Sequence, residues 1–263
     1  MRASEHAAEW SCLRRAVAAA GDLALSHFRA RGEHWFKGPG QIITAADLEI
    51  DRLLYESLIG AFPDDAWLSE ERADDRARLR RHRVWVVDPI DGTRAFVDGL
   101  PEFAISIALL RHGAPVLGVV FNPATGECFE AERACGAWCG GVRLRVSAHD
   151  ALQGARLLSS RTEKRRRNWP ALMPEATFTD LGSLAYKLAL IAAGRFDGLI
   201  SRRASHDWDV AAAQLLLGEA GGWLSGTDGA TLVLNQPEPR HAGLVAAGAR
   251  GLHRALLERL AGA

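Results

Sequence analysis

The sequence predicts an α/β protein whose first half is α+β and whose second half is α/β. Two segments near the N-terminus carry apolar residues at helical spacing. Between residues 84 and 131, short apolar runs are separated by turn-forming residues, as in an antiparallel sheet. After residue 150, predicted strands alternate with predicted helices, the pattern of an α/β fold. This change of pattern predicts two units, residues 1–150 and 151–263.

The first unit begins with two predicted helices, residues 5 to about 30 and Ala45 to about Phe62. Thr44 is a candidate N-cap of the second helix, because its hydroxyl can accept a hydrogen bond from the first turn. Asp47 and Glu49 lie in that turn, where the helix dipole favours negative charge. The first unit is therefore expected to place two helices against its sheet.

A polar loop and a group of strands follow the second helix. The stretch 70–83 is dense in arginine and aspartate, and its part after Glu71 is predicted to be an exposed loop. The turn-rich connection 111–115 predicts that the strands on either side of it form an antiparallel hairpin. The predicted strands are Val84–Val87, Phe103–Leu110, Val116–Phe121 and Glu127–Ala131.

The second unit alternates between strands and helices. Glycines follow the first two of its helices, at Gly194 and at Gly221 and Gly222, and glycine is favoured just after a helix. The predicted strands are Ala155–Ser159, Phe178–Asp180, Gly198–Ser201 and Leu244–Ala247. The predicted helices are Leu184–Ala193, Asp209–Ala220 and about Leu252–Leu260.

The composition argues against several classes of partner. Of the 263 residues, 48% are hydrophobic, which allows a large buried core. Basic and acidic side chains balance at 32 each, so neither nucleic acid nor an anionic membrane is expected as the main partner. No apolar run reaches about 18 residues, and charges interrupt the N-terminal segment, unlike a signal peptide. The expected location is the cytoplasm.

The stretch VVDPIDGT places Asp88 and Asp91 after an apolar run, three residues apart. Pro89 lacks an N–H and fixes φ, so the connection is stiff, while Gly92 and Thr93 offer N–H groups to a phosphate. Two carboxylates this close repel each other unless a cation lies between them, and hard oxygen ligands suit Mg²⁺. A plain turn followed by a helix cap is the alternative interpretation.

Other acids favour the metal interpretation. Glu70 and Glu71 follow the apolar pair 67–68, and Asp209 opens a predicted helix. Each of them alone is compatible with a surface acid or an N-cap. Together with the two acids of VVDPIDGT, they predict a carboxylate site for more than one metal ion.

On these residues the sequence resembles the inositol monophosphatase family of Mg²⁺-dependent, lithium-sensitive phosphomonoesterases. Its superfamily includes bisphosphate nucleotidases, histidinol-phosphatase-like members and fructose bisphosphatases. The resemblance implies the layered αβαβα sandwich of that superfamily. The matching segments follow the family's order over about residues 37–222. They are Ile43–Asp47, Ser69–Glu71 (where the family usually has Gly-Glu-Glu), Trp85–Thr93, Gly182–Ser183, Trp208–Ala212 and Glu219–Gly222.

The resemblance implies two or three Mg²⁺ ions and assigns their ligands. Glu70, Asp88 and the carbonyl oxygen of Ile90 would bind the first ion. Asp88, Asp91 and Asp209 would bind the second, with Asp88 shared between the two. Most ligands therefore fall in the unit 1–150, and the unit 151–263 supplies Asp209 and the residues that select the substrate.

The resemblance also implies roles in catalysis and in phosphate binding. Thr93, together with Asp47 or Glu70, would orient the water that attacks phosphorus. The N–H groups of Gly92 and Thr93 would hold phosphate oxygens. Lys37 matches a family position near the phosphate or a third metal ion, although a solvated loop lysine is an equal alternative.

The substrate alcohol is predicted less directly. Ser159 and Ser183 match positions that line the family's substrate pocket. Seven residues before Asp209, where members that hydrolyse inositol phosphate typically carry Glu, this chain has Arg202, which favours an anionic substrate. The leading prediction is a 3′(2′),5′-bisphosphate nucleotidase acting on a metabolite such as 3′-phosphoadenosine 5′-phosphate. Inositol-1-monophosphatase is the alternative, and histidinol phosphatase is a third.

A non-catalytic protein is the alternative from another class. The basic run Lys164–Arg167 could serve RNA or a partner protein, but it is short and the chain has no basic excess elsewhere. A pseudoenzyme is expected to have lost at least one metal ligand, and this chain retains Glu70, Asp88, Asp91 and Asp209. The family resemblance is compatible with either a monomer or a homodimer.

Overall fold

The computed structural model describes residues 5–30, 34–38, 41–163 and 168–262. The helices of its first half are α1 (Ala7–Ala30), α2 (Ala45–Ala61) and α3 (Thr93–Val97), with a 3₁₀ turn at Ala77–Arg80. The strands are β1 (His34–Gly38), β2 (Gln41–Thr44), β3 (Ala66–Ser69), β4 (Arg83–Asp91), β5 (Ala104–Arg111), β6 (Ala114–Asn122), β7 (Glu127–Glu132), β8 (Gly136–Cys139) and β9 (Val142–Arg143).

The second half alternates strands and helices, as the sequence predicts. Its helices are α4 (Trp169–Leu172), α5 (Leu184–Ala192), α6 (Asp207–Glu219) and α7 (Arg250–Ala261). Its strands are β10 (Arg156–Ser159), β11 (Thr177–Asp180), β12 (Gly198–Ser201), β13 (Ser205–His206), β14 (Trp223–Gly226), β15 (Arg240–His241) and β16 (Leu244–Ala247).

Two large sheets organise these elements. The seven-stranded sheet has the order β3-β4-β5-β6-β7-β8-β9, in which β3 and β4 are parallel and the other neighbours antiparallel. The five-stranded sheet has the order β11-β10-β12-β16-β14, with β10 parallel to both of its neighbours. Strand β16 is antiparallel to both of its neighbours, β12 and β14. Two short pairs, β1–β2 and β13–β15, complete the sheet structure of the described ranges.

The helices fill the layers around these sheets. Helices α1 and α2 pack on one face of the seven-stranded sheet, and α5 and α6 lie between the two sheets. Helix α7 covers the outer face of the five-stranded sheet. The arrangement confirms the expected αβαβα sandwich. The boundary near residue 150 stays a prediction.

Strand β4 lies next to the edge strand β3 of the seven-stranded sheet and is buried on both faces. Trp85 and Val87 point into the core beneath α1 and α2, and Val84 and Val86 point into the core around α5 and α6. This alternation follows from the two-residue period of a strand. The strand continues four residues beyond its predicted end at Val87 and includes the whole DPID segment.

A β-bulge in β4 decides where its acids point. Between Asp88 and Asp91, the two residues Pro89 and Ile90 lie opposite the single residue Ile105 of β5. In a regular strand, residues three apart point to opposite faces of the sheet. The extra residue of the bulge reverses this parity, so both carboxylates reach the same side.

The structure confirms the long predicted helices and strands. Thr44 caps α2 as predicted, accepting a hydrogen bond from the Asp47 N–H at 3.3 Å. The strands that the sequence did not predict are two to five residues long, too short for an alternating pattern to stand out. Helix α6 starts at Asp207, two residues before its predicted start. No helix in the described ranges is long and apolar enough to cross a membrane.

Candidate active site

Three carboxylates meet where β4 ends and α6 begins. Asp88, Asp91 and Asp209 each place an oxygen within 4.8 Å of the oxygens of the other two. Asp88 and Asp91 come from the bulged end of β4, and Asp209 lies in the first turn of α6. The structure thus brings together three of the metal ligands that the sequence predicts, although Asp91 and Asp209 are 118 positions apart in the chain.

Asp88 is buried, and only one of its two carboxylate oxygens has a hydrogen-bond partner. Its Oδ1 atom accepts a hydrogen bond from the Ile90 N–H at 3.0 Å, while Oδ2 is buried without a hydrogen-bond partner. Burial raises the pKa of Asp88 well above its usual range, and the negative charges of Glu70, Asp91 and Asp209 raise it further. An ionised Asp88 is therefore unfavourable unless a cation joins it.

Asp91 is held by the start of helix α5. Its Oδ2 atom accepts hydrogen bonds from the Ser183 hydroxyl and the Ala185 N–H, both at 2.5 Å. Burial raises the pKa of Asp91, although these two hydrogen bonds and the positive charges of Lys187 and Arg203 oppose the increase. Ser183 is also the N-cap of α5, because its hydroxyl accepts a hydrogen bond from the N–H of the third helical residue at 3.0 Å. Ser183 therefore both caps helix α5 and orients the carboxylate of Asp91.

Asp209 is positioned by the start of helix α6. Its Oδ2 atom accepts a hydrogen bond from the backbone N–H of His206 at 2.6 Å. Burial, with a contribution from the charge of Asp91, raises the pKa of Asp209 to about 7. The Ser106 hydroxyl of β5 donates to the Trp208 carbonyl at 3.1 Å, which ties this helix end to the large sheet.

The body of α6 lies against the sheet at Gly118. A Cβ atom at this position of β6 would lie 2.9 Å from the Ala212 carbonyl oxygen. Only glycine allows the helix to approach so closely. This approach carries Asp209 to the end of β4.

The donor set fits a divalent metal ion. The three ligand groups are carboxylates, which suit a hard cation such as Mg²⁺, and the Oδ2 atom of Asp88 is buried without a hydrogen-bond partner. Clustered like charges disfavour the folded state unless a cation offsets them. The arrangement therefore has the chemistry of a metal centre, as the sequence predicts.

The loop after Asp91 packs so closely against other backbone segments that no side chain fits at Gly92. Gly92 has φ +94°, and a Cβ there would lie 2.8 Å from the Glu102 carbonyl oxygen and 3.1 Å from the Ser183 nitrogen. A Cβ atom at Gly182 would lie 2.7 Å from the same Glu102 oxygen. Three chain segments converge here at backbone distance. Next to Gly92, Thr93 begins α3, and its hydroxyl donates to the Ile90 carbonyl at 3.0 Å.

The other two predicted acids lie beside this cluster. Glu70 follows β3, the neighbour of β4, and its charge is the foremost of those that act on Asp88. The charge of Asp47 also acts on Asp88, while its Oδ2 atom accepts from the Thr44 N–H at 2.7 Å and the Thr44 hydroxyl at 2.6 Å. Their assignments as metal ligand and catalytic residue stay predictions.

The residues that the sequence predicts to bind the substrate differ in their burial and in their hydrogen-bond partners. Ser159 is buried at the end of β10 and donates to the Ser160 carbonyl at 3.3 Å. Ser183 contacts Asp91 as described, and Arg202 is exposed on the turn after β12. Lys37 lies in β1, and its side chain is outside the described part of the structure. The basic run 164–167 also falls outside it. The substrate roles of these residues stay predictions.

Two basic residues that the sequence analysis did not single out act on the acidic cluster. The positive charges of Lys187 and Arg203 both lower the pKa of Asp91, and that of Arg203 also lowers the pKa of Asp209. A signal for Lys187 was available, because it is the one charged residue within the apolar helix α5. Arg203 gave no such signal beside Arg202, because adjacent arginines on a polar turn look alike in sequence.

Comparisons with known proteins show which family and which structures the chain is similar to. The model of the inositol monophosphatase family matches residues 8–263. The inositol-1-monophosphatase of Rhizobium meliloti is 39% identical over 84% of both chains. The fructose-1,6-bisphosphatase/inositol-1-monophosphatase of Thermotoga maritima is 35% identical over 80% of this chain and 81% of the relative. The crystal structure of extragenic suppressor protein suhB from Bartonella henselae superposes with a TM-score of 0.85 at 29% identity, covering 97% of this chain and 98% of that one.

Proposed function

Because this chain belongs to the inositol monophosphatase family, whose members are phosphoric monoester hydrolases, we propose that it hydrolyses inositol 1-phosphate with bound Mg²⁺. The observation that carries the proposal is the cluster of Asp88, Asp91 and Asp209 with the buried, unpartnered Oδ2 of Asp88. The name of the Rhizobium relative at 39% identity supports the choice of substrate.

The metal ligands would be the three clustered aspartates with Glu70 and the Ile90 carbonyl. Bound Mg²⁺ supplies charge neutralisation at the phosphate and lowers the pKa of water. Asp91 stays oriented for this task because the Ser183 hydroxyl and the Ala185 N–H both donate to its Oδ2 atom. Asp209 is held in the same way by the His206 N–H. The ligand set is therefore preorganised by hydrogen bonds from the protein.

Thr93 would place the attacking water. Its hydroxyl hydrogen is directed to the Ile90 carbonyl, so the hydroxyl oxygen is left to accept a hydrogen bond from that water. Asp47 or Glu70 would take the proton as the water oxygen bonds to phosphorus and the ester P–O bond breaks. The leaving oxygen takes up a proton from solvent, so the products are the alcohol and inorganic phosphate.

A 3′(2′),5′-bisphosphate nucleotide is the second candidate substrate. The exposed arginines 202 and 203 on the turn that leads to Asp209 favour it, because guanidinium groups bind phosphate. The names of the relatives described above give this substrate, and histidinol phosphate, no specific support. The two functions differ only in the alcohol, so the same metal centre serves both.

Phosphate release from inositol 1-phosphate is the direct test. We expect turnover that requires Mg²⁺, stops with EDTA, and falls with added Li⁺. The same assay with 3′-phosphoadenosine 5′-phosphate and histidinol phosphate ranks the candidates. Release from none of these esters under saturating Mg²⁺ would refute the proposed function.

Replacing Thr93 by valine is expected to lower kcat about 100-fold, because the water loses its positioning partner. Thr93→Ser should retain activity within about tenfold, since it keeps the hydroxyl. Thr177→Val is the matched control, because the Thr177 hydroxyl also donates to a backbone carbonyl but lies outside the site. Steady-state kinetics and melting temperatures decide the outcome. A loss of activity no larger than that of the control contradicts the role of Thr93.

A further inference from the structure

The start of helix α6 is backed by a chain segment from further along the sequence. We call residues 235–241 the strap; they follow Leu234, which is buried in the core around α5 and α6. The strap ends in β15, which is antiparallel to β13, the two residues before α6. The N–H group of Asp207, the first residue of α6, continues this pairing and donates to the Pro239 carbonyl at 3.0 Å. The strap therefore lies along the chain that leads into Asp209.

This pairing fixes the direction of an N–H group at the acidic cluster. In an antiparallel pair, successive residues of one strand alternate between hydrogen bonds to the partner strand and groups that point away from it. Because the Asp207 N–H points to the strap, the N–H of His206 points away from it. That N–H group donates to the Oδ2 atom of Asp209 at 2.6 Å. The strap thus sets the geometry by which the backbone holds a predicted metal ligand.

Asp207 holds both ends of the strap with one carboxylate. Its side chain is fully buried. The Oδ2 atom accepts a hydrogen bond from the Asn235 N–H at 2.6 Å, and the Oδ1 atom accepts one from Nε2 of the His241 ring at 2.8 Å. Asn235 and His241 are the first and last residues of the strap. Both oxygens of Asp207 are therefore used to bind the strap to the start of α6.

Arg78 attaches the strap to the first half of the chain. It lies in the stretch after Glu71, for which the sequence predicts an exposed loop, yet it is only 1% exposed. Its Nη1 atom donates to Oδ1 of Asn235 at 2.6 Å, and its Nη2 atom donates to the Gln236 carbonyl at 2.9 Å. The same guanidinium group donates to the Asp74 carboxylate at 2.8 to 3.1 Å. A buried arginine with these bonds restrains the groups that it binds, because leaving any of them unpaired is costly.

Asn235 connects these two attachments. Its backbone N–H donates to Asp207, and its side-chain oxygen accepts from Arg78. Its φ of +59° lies in the left-handed region, which asparagine adopts more readily than most residues. A continuous series of hydrogen bonds therefore runs from Arg78 through Asn235 to Asp207, two residues before Asp209.

We infer that Asp207 and Arg78 are positioning residues, which act through the strap to hold Asp209 in place for a metal ion. The inference rests on the proposed function, because the placement of Asp209 matters only if an ion is bound there. Neither residue is assigned a contact with the substrate or with the ion. Outer groups that orient the ligands of a metal typically contribute about tenfold to 100-fold to its affinity.

Two variants of opposite charge test this role. Asp207→Asn places an NH₂ group against one of the two donors of the strap, and Arg78→Met removes every hydrogen bond of the guanidinium group. We expect each variant to bind Mg²⁺ about tenfold or more weakly, measured by calorimetric titration with MgCl₂ at constant ionic strength. Charge alone predicts opposite signs, because loss of a negative charge weakens cation binding and loss of a positive charge strengthens it. Weaker binding in both variants therefore reports the position of the ligand.

Arg83→Met is the matched control. Its guanidinium group donates to Asp65 and Glu9 at 2.7 to 3.0 Å, at the end of β4 opposite to the aspartates. The substitution removes the same charge and a similar set of hydrogen bonds as Arg78→Met. It should lower the melting temperature in EDTA but leave the Mg²⁺ affinity within about twofold of wild type.

Asn235→Gly is a milder variant that keeps the test decisive if Arg78→Met does not fold. Glycine tolerates the positive φ and retains the N–H that donates to Asp207, so only the side-chain acceptor of Arg78 is lost. The net charge is unchanged. We expect Mg²⁺ binding to weaken about threefold, which corresponds to the loss of one hydrogen bond.

Kinetics provide a second readout. In Asp207→Asn and Arg78→Met, the Mg²⁺ concentration for half-maximal activity should rise, while KM for the ester at saturating Mg²⁺ should stay unchanged. A residue that only stabilises the fold would lower the melting temperature without changing the dependence on Mg²⁺. The inference is overturned if Arg78→Met, or Asn235→Gly in its place, binds Mg²⁺ as tightly as the wild type or more tightly.

Failure of the proposed function gives a different result. If the wild-type protein binds Mg²⁺ but cleaves no ester, the proposed function is wrong, and the affinities of the variants still decide the role of the strap. If the wild-type protein binds no Mg²⁺, the metal centre and the inference are both overturned.

Discussion

Replacing Asp88 by asparagine is expected to lower kcat/KM about 1,000-fold or more, equivalent to ~4 kcal/mol of transition-state stabilisation. The same change should stabilise the metal-free protein by about 1–3 kcal/mol. Both effects have one cause. The Oδ2 atom of Asp88 is buried without a partner among other carboxylates, so its charge is unfavourable until a cation binds.

Thermal melts with EDTA and with saturating Mg²⁺ separate these effects. The wild-type melting temperature should rise with Mg²⁺, because the ion binds only the folded state. Asp88→Asn should start higher in EDTA and show little or no rise. An Asp88→Asn protein with activity within tenfold of wild type, or with an unchanged response to Mg²⁺, would contradict the assignment of Asp88 to the metal centre.

Asp197→Asn is the matched control for this test. Asp197 is also buried, but both of its oxygens are paired, with the Arg156 guanidinium at 2.9 and 3.1 Å and the Arg156 N–H at 2.7 Å. Although burial opposes the change, these hydrogen bonds lower the pKa of Asp197 to about 2. Its replacement should therefore lower the melting temperature and leave the response to Mg²⁺ unchanged. If Asp88→Asn raises the melting temperature of the metal-free protein and Asp197→Asn lowers it, then Asp88 is a residue that the protein retains although it lowers stability.

Replacing Gly92 by alanine is expected to lower the free energy of unfolding by about 2–5 kcal/mol and kcat/KM by at least about tenfold. The backbone at Gly92 has φ +94°, which disfavours any side chain. The new Cβ would also lie 2.8 Å from the Glu102 carbonyl oxygen, a backbone atom that cannot rotate away. Relief of the clash would displace the start of α5, and with it Ser183, which holds Asp91.

The control variant Gly126→Ala separates the cost of the backbone conformation from the cost of the contact with Glu102. Gly126 has φ +71° in a hairpin turn, but no atom lies within 4 Å of the position of its Cβ. This control should therefore cost only the backbone contribution, about 1–2 kcal/mol, and leave activity unchanged. Urea denaturation and phosphate-release kinetics of both variants provide the comparison. Equal destabilisation by the two substitutions would show that the contact with Glu102 does not constrain the site.

The local elements of this protein follow from its sequence. The spacing of apolar residues predicted α1, α2 and the long strands, and Thr44 identified the start of α2. These signals are local, because helix periodicity and capping depend on residues a few positions apart. The acids of VVDPIDGT and Asp209 likewise predicted a metal site, since carboxylates in such numbers at element ends have few other uses.

The placement of the acids was decided by tertiary structure. The pattern around Val84–Val87 predicts a strand that stops before the aspartates, yet the strand continues, and its bulge turns Asp88 and Asp91 to one side. Whether β4 contains an extra, unpaired residue depends on its register with the neighbouring strand, β5. The approach of α6 over Gly118 then adds Asp209.

The sequence by itself therefore determined the longer elements and the family, and it predicted the acidic ligands, because each of these depends on local patterns and residue types. Only the tertiary structure decided which groups share the site. It placed the Ser183 hydroxyl against Asp91, and it brought Lys187 and Arg203 close enough for their charges to lower the pKa of that carboxyl group. Contacts between residues far apart in the chain depend on how whole layers pack, and no window of sequence contains that information.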